Sequence, residues 1–304
     1  MTPIEQGVFR SVSALAILGA PPTFPELVNS YDHGDEPLTP HILEIQAAAD
    51  WLVRTAVFTQ ARGRYVPFPL ESELVPTLTG EEWMPRKLRK ARKIARWLAR
   101  LGGVRAVFLC NRTAFGVPRD EGDLDFLVIV RHGSIWQTRG LAGLPFVLLG
   151  DRPGPNGDER DVVCLSFFLS DQALNLAECA LQPDDMYLRH WFLGLLPLVD
   201  DGVSETFWKA NTVLRQRHPY AAEWIPSPDI EISIPRLRIP TTAFLERAAR
   251  SLQWKYFPRV LREKANKDTR VMISDERLKF HVDDGREVLQ TAYTKLCGQY
   301  GVAP

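Results

Sequence analysis

Two aspartates separated by one residue, Asp123 and Asp125, are the side chains best placed to do chemistry in this chain. They stand at the start of an apolar run, residues 126–130, which predicts a buried strand. Because successive strand side chains alternate, both carboxylates should lie on one face, with Leu124 packed behind them. A divalent cation would relieve their mutual repulsion, and Mg²⁺ prefers carboxylate oxygens together with substrate phosphates. The pair therefore predicts metal-assisted phosphoryl or nucleotidyl transfer.

The order of elements around this pair resembles the nucleotidyltransferase superfamily, which includes DNA polymerase beta, the minimal nucleotidyltransferases and the aminoglycoside nucleotidyltransferases. The family pattern is a strand, a Gly-Ser pair, a loop, and a second strand bearing Asp-x-Asp. In this chain residues 104–110 form the first apolar run, Asn111 and Arg112 take the Gly-Ser positions, and the Asp-x-Asp strand follows. The phrases at residues 195–211 and 278–293 also resemble segments of proteins that carry a nucleotidyltransferase domain.

The resemblance implies an enzyme that depends on Mg²⁺ or Mn²⁺ and moves a nucleoside monophosphate from an NTP to an acceptor hydroxyl. Asp123 and Asp125 would be catalytic and would hold two metal ions. The family supplies a third carboxylate from a later strand, and Asp161 is the only one in the apolar run 161–169. The family's acid usually lies deeper in that strand, where this chain has Cys164 or Ser166.

The nucleotide-binding residues implied by the resemblance are Asn111, Arg112 and Thr113. Asn is the non-glycine residue that best tolerates a left-handed backbone, and Arg can bind phosphate oxygens in a bidentate manner. An arginine is also long enough to fill the space that a triphosphate needs. The alternative is therefore a catalytically weakened member of the family that acts as a binding or regulatory module.

The predicted fold class is α+β, with a mixed nucleotidyltransferase-type sheet flanked by helices. Residues 1–84 show three helical patterns and a hairpin, which is the order of a winged helix, although a helical cap without a ligand has the same pattern. Residues 85–170 form the nucleotidyltransferase-fold domain, whose sheet is expected to include residues 146–149 and 162–169. Residues 171–304 are expected to be helical, with helices at 171–181 and 186–196, a turn at 197–202, and a break at Pro258.

The predicted helix at residues 86–100 carries the densest group of cations in the chain. It is either a solvated helix beside the sheet or an electrostatic funnel that attracts triphosphate or RNA toward the aspartates. Nucleic acid is thus a possible partner through this helix. The acceptor, which could be a protein, an RNA or a small molecule, is not indicated by any motif.

Composition favours a soluble, cytoplasmic protein. The 304 residues include 37 Lys and Arg and 37 Asp and Glu, so no overall charge attracts nucleic acid or a membrane. No apolar run is long enough to span a membrane, and no signal peptide is expected. The four cysteines lack paired spacing, which indicates thiols in a reducing compartment.

His281 is interpreted either as a metal ligand or general base, or as a structural histidine with a backbone partner.

Overall fold

Three helices and a hairpin open the chain. A computed structural model describes residues 1–78, 82–148, 160–224 and 242–304. Its first elements are α1 (Pro3–Ile17), α2 (Phe24–Asn29), α3 (Ile42–Arg54), β1 (Phe58–Ala61), β2 (Arg64–Pro67) and the short α4 (Glu71–Leu74). The spacing of Ile42, Ile45, Ala48, Ala49 and Leu52 predicts an apolar stripe on α3; the last four are buried, whereas Ile42 is 44% exposed. The predicted helix–helix–helix–hairpin order is confirmed.

The remaining elements are helices and strands in a mixed order. They are α5 (Met84–Ala99), β3 (Val104–Leu109), α6 (Asn111–Ala114), β4 (Leu124–Val130), α7 (Ile135–Leu148), β5 (Val163–Ser170), α8 (Met186–Leu193), β6 (Leu196–Asp200), α9 (Ser204–Ala210), α10 (Thr212–Arg215), α11 (Ala243–Tyr256), α12 (Arg259–Lys264), β7 (Val271–Ile273), β8 (Arg277–Phe280) and α13 (Arg286–Gln299). Pro258 separates α11 from α12, as predicted, because a proline inside a helix removes a backbone hydrogen bond.

The larger sheet has six strands in the order β6-β3-β4-β5-β8-β7. Strands β4 and β5 are parallel, and all the other neighbours in this sheet are antiparallel. The part of the chain that the structure describes is therefore a mixed α/β fold with a mixed sheet. Helices around a mixed sheet are what the sequence predicts. The parallel pair β4 and β5 occupies the centre, so both strands have neighbours on either side.

Several secondary-structure predictions for the second half of the chain were wrong. Residues 196–200 form the edge strand β6 rather than a turn, and β7 and β8 also lie in the region predicted to be helical. Residues 146–148 end α7 instead of joining the sheet, while residue 149 falls outside the described residues. In 171–181 the only helix is a short 3-10 turn, Leu176–Cys179. Residues far along the chain thus complete the sheet, because hydrogen bonding to a neighbouring strand overrides local helical spacing.

The sheet separates two hydrophobic cores. On one face the side chains of α5, α7, α11 and α12 pack against alternate residues of β4, including Leu124, Phe126 and Val128. On the other face α8, α9 and α10 pack against Leu127 and Ile129. By the same alternation Asp123 and Asp125 belong to the second face. The aspartates and the basic helix α5 are therefore on opposite sides of the sheet.

A third core joins the N-terminal unit to the C-terminal helix. Tyr293, Leu296 and Cys297 of α13 pack with apolar residues of α1 and α3. Beside this core Asp32 is fully buried, and the Nε atom of Arg217 lies 2.9 Å from its carboxylate. Burial alone would raise the pKa of Asp32, but nearby His218 and the arginines lower it to about 2. The N-terminal unit is thus anchored by both apolar packing and a buried charge.

Candidate functional site

The structure brings Asp123 and Asp125 together with Cys164. One potential ligand atom from each of these three residues lies within 4.8 Å of the other two. Strand β4 supplies the aspartates from its start, and the parallel register places Cys164 of β5 directly beside Asp125. The two carboxylates therefore converge as predicted, and the third member of the group is a thiol.

The charge state of this group reflects its burial. Burial raises the pKa of Asp125, although hydrogen bonds from Asn111 and Cys164 partly oppose that shift. Burial and the neighbouring Asp125 also raise the pKa of the Cys164 thiol well above its usual range. At neutral pH Cys164 is therefore a protonated thiol, and its Sγ donates to the hydroxyl oxygen of Ser166 at 3.3 Å. An added cation would stabilise the charged form of the aspartates.

Asp161 lies elsewhere, at the entrance to β5. Its carboxylate is 2.8 Å from the Nζ atom of Lys87 and 2.9 Å from the Nε atom of Arg86. Burial alone would raise the pKa of Asp161, but the hydrogen bonds from these two cations lower it. Lys87 is fully buried and its ammonium also donates to the carbonyl of Gly122, the residue before Asp123. Asp161 therefore fixes the segment that leads into the aspartates and does not belong to the group formed by Asp123, Asp125 and Cys164.

Asn111 connects β3 to the aspartate pair. Its backbone has a φ of 57°, the left-handed conformation that a glycine adopts at least cost. Its side-chain Nδ2 donates to Asp125 Oδ2 at 2.5 Å, and its Oδ1 accepts from the hydroxyl of Tyr187 at 3.0 Å. The left-handed backbone agrees with the glycine-like role expected of this position. The amide also gives Asn111 a second role, because it holds Asp125 in place.

Arg112 extends into a cavity of about 300 Å³ beside the aspartates, here called the Arg112 cavity. The same cavity is lined by Thr113, Arg119 and both aspartates. Within the described ranges of the chain, the buried Nε and Nη2 atoms of Arg112 have no hydrogen-bond partner. Burial, followed by the charge of Arg119, lowers the pKa of Arg112 to about 10, so the group remains cationic at neutral pH. An anion that entered the cavity would therefore find charged donors with unused hydrogen bonds.

The arginine side chain is accommodated by a glycine of the N-terminal unit. Gly19 has a φ of 71°, and a Cβ at this position would clash with the guanidinium of Arg112. The N-terminal unit also lines the Arg112 cavity directly, through Ile17 and Leu18 at the end of α1.

A second cavity of about 170 Å³, here called the His281 cavity, lies on the other side of Asp125. His281 lines it, and its Nε2 atom is 3.0 Å from the hydroxyl oxygen of Ser166. Burial, followed by the charge of Lys279, lowers the pKa of His281 to about 4, so the imidazole is neutral. His281 is therefore paired with a side chain, rather than with the backbone partner expected for a structural histidine. Asn111, Asp125 and Tyr187 line both cavities.

Sequence reasoning missed one member of this site, Tyr187, and named two others without assigning them a role. Cys164 and Ser166 stand where the family's third acid is expected, and because they lie two residues apart on β5 they share a face. Tyr187 gave no signal, because it lies on α8, 76 positions from its partner Asn111.

The basic helix α5 does not line either cavity. Two of its cations, Arg86 and Lys87, are used in the ion pairs with Asp161, and its apolar side packs on the opposite face of the sheet. Its remaining cations are thus separated from the aspartates by the sheet.

Comparison with known proteins gives no match: no family model fits the sequence, and no curated protein or solved structure is significantly similar. Among the described residues, no helix is both long enough and apolar enough to cross a membrane. The function must therefore be inferred from the chemistry of the site itself.

We expect Asp161→Asn to destabilise the protein by about 3 kcal/mol, because it leaves the buried Lys87 without its counter-charge. Asp268→Asn is the control, since it breaks a half-exposed pair with Arg270 and should cost less than about 1 kcal/mol. Urea unfolding gives both values. Loss of Mn²⁺ binding in Asp161→Asn at unchanged stability would instead make Asp161 a metal ligand.

Proposed function

We propose that this protein is a Mg²⁺-dependent nucleotidyltransferase that transfers a nucleoside monophosphate from an NTP to an acceptor hydroxyl. One observation carries the proposal: two convergent carboxylates border a cavity that contains an arginine whose buried donors have no partner in the part of the chain that the structure describes. Carboxylates for a cation and an arginine for phosphate are the groups that bind a metal–triphosphate complex. The similarity of the strand–loop–Asp-x-Asp pattern to the nucleotidyltransferases supports the same conclusion.

The two carboxylates fit the metal that this activity needs. Asp123 and Asp125 offer hard oxygen atoms that suit Mg²⁺ or Mn²⁺, whereas the thiol of Cys164 is a soft donor that Mg²⁺ does not favour. The two aspartates would therefore hold the cation. When bound, the cation neutralises phosphate charge and polarises the phosphoryl group.

The other residues of the site bind and orient the substrates in this proposal. Arg112 forms hydrogen bonds to phosphate oxygens, and Arg119 and Thr113 complete the same wall. Asn111, held by Tyr187, keeps Asp125 in position. Because Asp125 borders both cavities, the triphosphate occupies the Arg112 cavity and the acceptor hydroxyl approaches from the His281 cavity. The acceptor oxygen then attacks the α-phosphorus, and pyrophosphate leaves.

The same proposal includes a fold family for each part of the chain and a cellular location. We assign the larger sheet to the nucleotidyltransferase fold, and the N-terminal helices and hairpin to a winged helix. Four free cysteines fit a reducing, cytoplasmic environment.

A second candidate function is a catalytically weakened family member that binds nucleotide as a regulatory module. The observation that favours it is Cys164, a neutral thiol where the family's third carboxylate is expected. Two carboxylates suffice to bind one metal–nucleotide complex. Transfer in this family also uses the third acid, so binding could survive where transfer does not.

We expect Mg²⁺ together with an NTP to raise the melting temperature, because a ligand at about 100 times its Kd adds about 2.7 kcal/mol to stability. The double variant Asp123→Asn, Asp125→Asn should lose this shift. A matched control, Asp35→Asn with Asp50→Asn, removes two exposed carboxylates and should keep it. Differential scanning fluorimetry with each of the four NTPs makes the measurement, and equal shifts in all three proteins would place the nucleotide elsewhere.

We expect Arg112→Ala to weaken NTP binding by about 1.5–3 kcal/mol, the scale of a hydrogen bond to a charged group. The control Arg131→Ala removes an exposed arginine outside the Arg112 cavity and should change nothing. Calorimetric titration in the presence of Mg²⁺ gives both values. If the wild type binds no NTP but the double variant Asn111→Gly, Arg112→Ser binds it, then Arg112 blocks the site and the enzyme proposal fails.

Cys164→Asp separates the two candidate functions. If the protein is a regulatory module, the wild type should release no pyrophosphate from NTP, and Cys164→Asp should create that activity. If the protein is an enzyme, the wild type should release pyrophosphate. Cys164→Ser is the matched control, because it changes the same atom without adding charge. Pyrophosphate release that requires Asp123 and Asp125 in wild type would exclude the regulatory candidate.

A further inference from the structure

The two cations that line the His281 cavity are already paired. Lys279 and Arg286 are both buried in its wall. The Nζ atom of Lys279 lies 3.3 Å from the carboxylate of Asp284, and the Nη1 atom of Arg286 lies 2.7 Å from the carboxylate of Asp185. These two positive and two negative charges cancel, so neither cation is available to an anionic acceptor.

One further carboxylate of the cavity, that of Asp283, is not compensated. Asp283 lines the cavity and is exposed, which places it at the opening. No hydrogen bond or ion pair joins its carboxylate to another group in the described segments. Asp125 also lines the cavity, but in the proposed function a metal ion neutralises it. The cavity therefore carries an excess of about one negative charge, which attracts a cation.

Aromatic rings form another part of the cavity wall. Phe167, Tyr187 and Trp191 line it, and the rings of Phe167 and Trp191 are stacked with their centroids 6.0 Å apart. The hydroxyl of Tyr187 donates to Asn111, which holds the third ring in place. The face of an aromatic ring attracts cations, and pockets lined by such rings recognise organic ammonium groups. The wall therefore suits a cation that also carries methyl or methylene groups.

The volume of the cavity limits the size of its ligand. It is about 170 Å³, which is similar to an engineered protein cavity of about 150 Å³ that binds one benzene molecule. A group of roughly seven non-hydrogen atoms therefore fills it. A whole nucleotide or a sugar chain is too large to enter.

We infer that the His281 cavity binds a small cationic alcohol as the acceptor, with its ammonium group near Asp283 and the aromatic wall and its hydroxyl group directed to Asp125. This inference rests on the proposed function and names the class of acceptor. The uncompensated carboxylate selects the positive charge, the rings select an organic cation, and the volume selects a small one. The hydroxyl is directed to Asp125 because that residue borders both cavities.

The transfer needs no reactant besides the NTP and the alcohol. The hydroxyl oxygen forms a bond to the α-phosphorus, and the bond between this phosphorus and the bridging oxygen of the pyrophosphate breaks. Pyrophosphate leaves with the bonding electron pair, and the hydroxyl proton passes to water. The product is a phosphodiester that joins the nucleoside to the cationic alcohol.

The test of binding uses the full chain without metal or nucleotide, and choline as the probe. Neohexyl alcohol is the matched control compound, because it has the same shape and hydroxyl group with a carbon in place of the charged nitrogen. In calorimetric titration choline should bind about tenfold more tightly than neohexyl alcohol, the scale of a cation that is held against aromatic rings. Equal binding of the two compounds, or no binding of choline, would overturn the inference.

Variants of two exposed aspartates locate the cation. Asp283→Asn should weaken choline binding about three- to fivefold, the scale of an exposed ion pair, and should leave the binding of neohexyl alcohol unchanged. Asp35→Asn is the matched control, because it removes an exposed carboxylate that lines a separate cavity. Choline binding that depends on Asp35 instead of Asp283 would place the cation in that other cavity and refute the inference.

Product analysis tests the role of choline as an acceptor. With Mg²⁺ and an NTP, the wild type should form the phosphodiester of choline, which mass spectrometry detects. Asp283→Asn should raise the KM for choline several-fold at unchanged kcat, because Asp283 contacts only the ammonium group. Binding of both ligands without this product would refute choline as an acceptor.

The inference and the proposed function fail in different ways. If Mg²⁺ and an NTP raise the melting temperature but choline binds no better than neohexyl alcohol, this inference alone is wrong. If choline binds in the expected way but Mg²⁺ and NTP give no melting shift, the transferase proposal is wrong, and the acceptor role of choline is refuted with it.

Discussion

A buried ion pair between Lys87 and Asp161 is the contact on which the arrangement of the site depends. It joins helix α5 to the entrance of β5, and the same ammonium group binds the carbonyl of Gly122 immediately before Asp123. A buried charge of this kind tolerates little displacement, since the loss of its partner leaves it desolvated and uncompensated. The loop that ends at the aspartates is therefore held by a helix that packs on the opposite face of the sheet.

The two faces of the sheet carry different kinds of side chain. One face carries polar groups that converge from β4, β5 and α8 on two small cavities, with Asp125 between them. The other face carries an apolar core covered by α5, α7, α11 and α12, and α5 holds the densest group of cations in the chain. The candidate site and the basic helix α5 therefore lie on opposite faces of one sheet.

Much of the site could be predicted from sequence because its main elements are local. Asp123 and Asp125 are two residues apart on one strand, so alternation alone places their carboxylates on one face. The left-handed backbone of Asn111 likewise agrees with a local expectation. The positions of Cys164 and Tyr187 could not be predicted in this way. They depend on strand register and helix docking, which arise from contacts between residues distant in sequence.

The same distinction explains the errors in the fold. Strand β6 contains a proline and is followed by a turn, so its local pattern resembles a loop, and only pairing with β3 makes it a strand. The short strands β7 and β8 complete the far edge through pairing with β5. Asp161 was the only carboxylate in its predicted strand. The sequence could not show that this carboxylate forms ion pairs with Lys87 and Arg86.

The packing of α13 against α1 has a consequence for the order of folding. The ring of Phe9 in α1 lies 4.9 Å from the ring of Tyr300 in a tilted arrangement, and the guanidinium of Arg10 donates to the carbonyl of Ala303. During synthesis the first helix is made long before these partners, because more than 250 residues separate them. The apolar face of α1 that α13 covers therefore obtains these contacts only after the last residues of this sequence have been made.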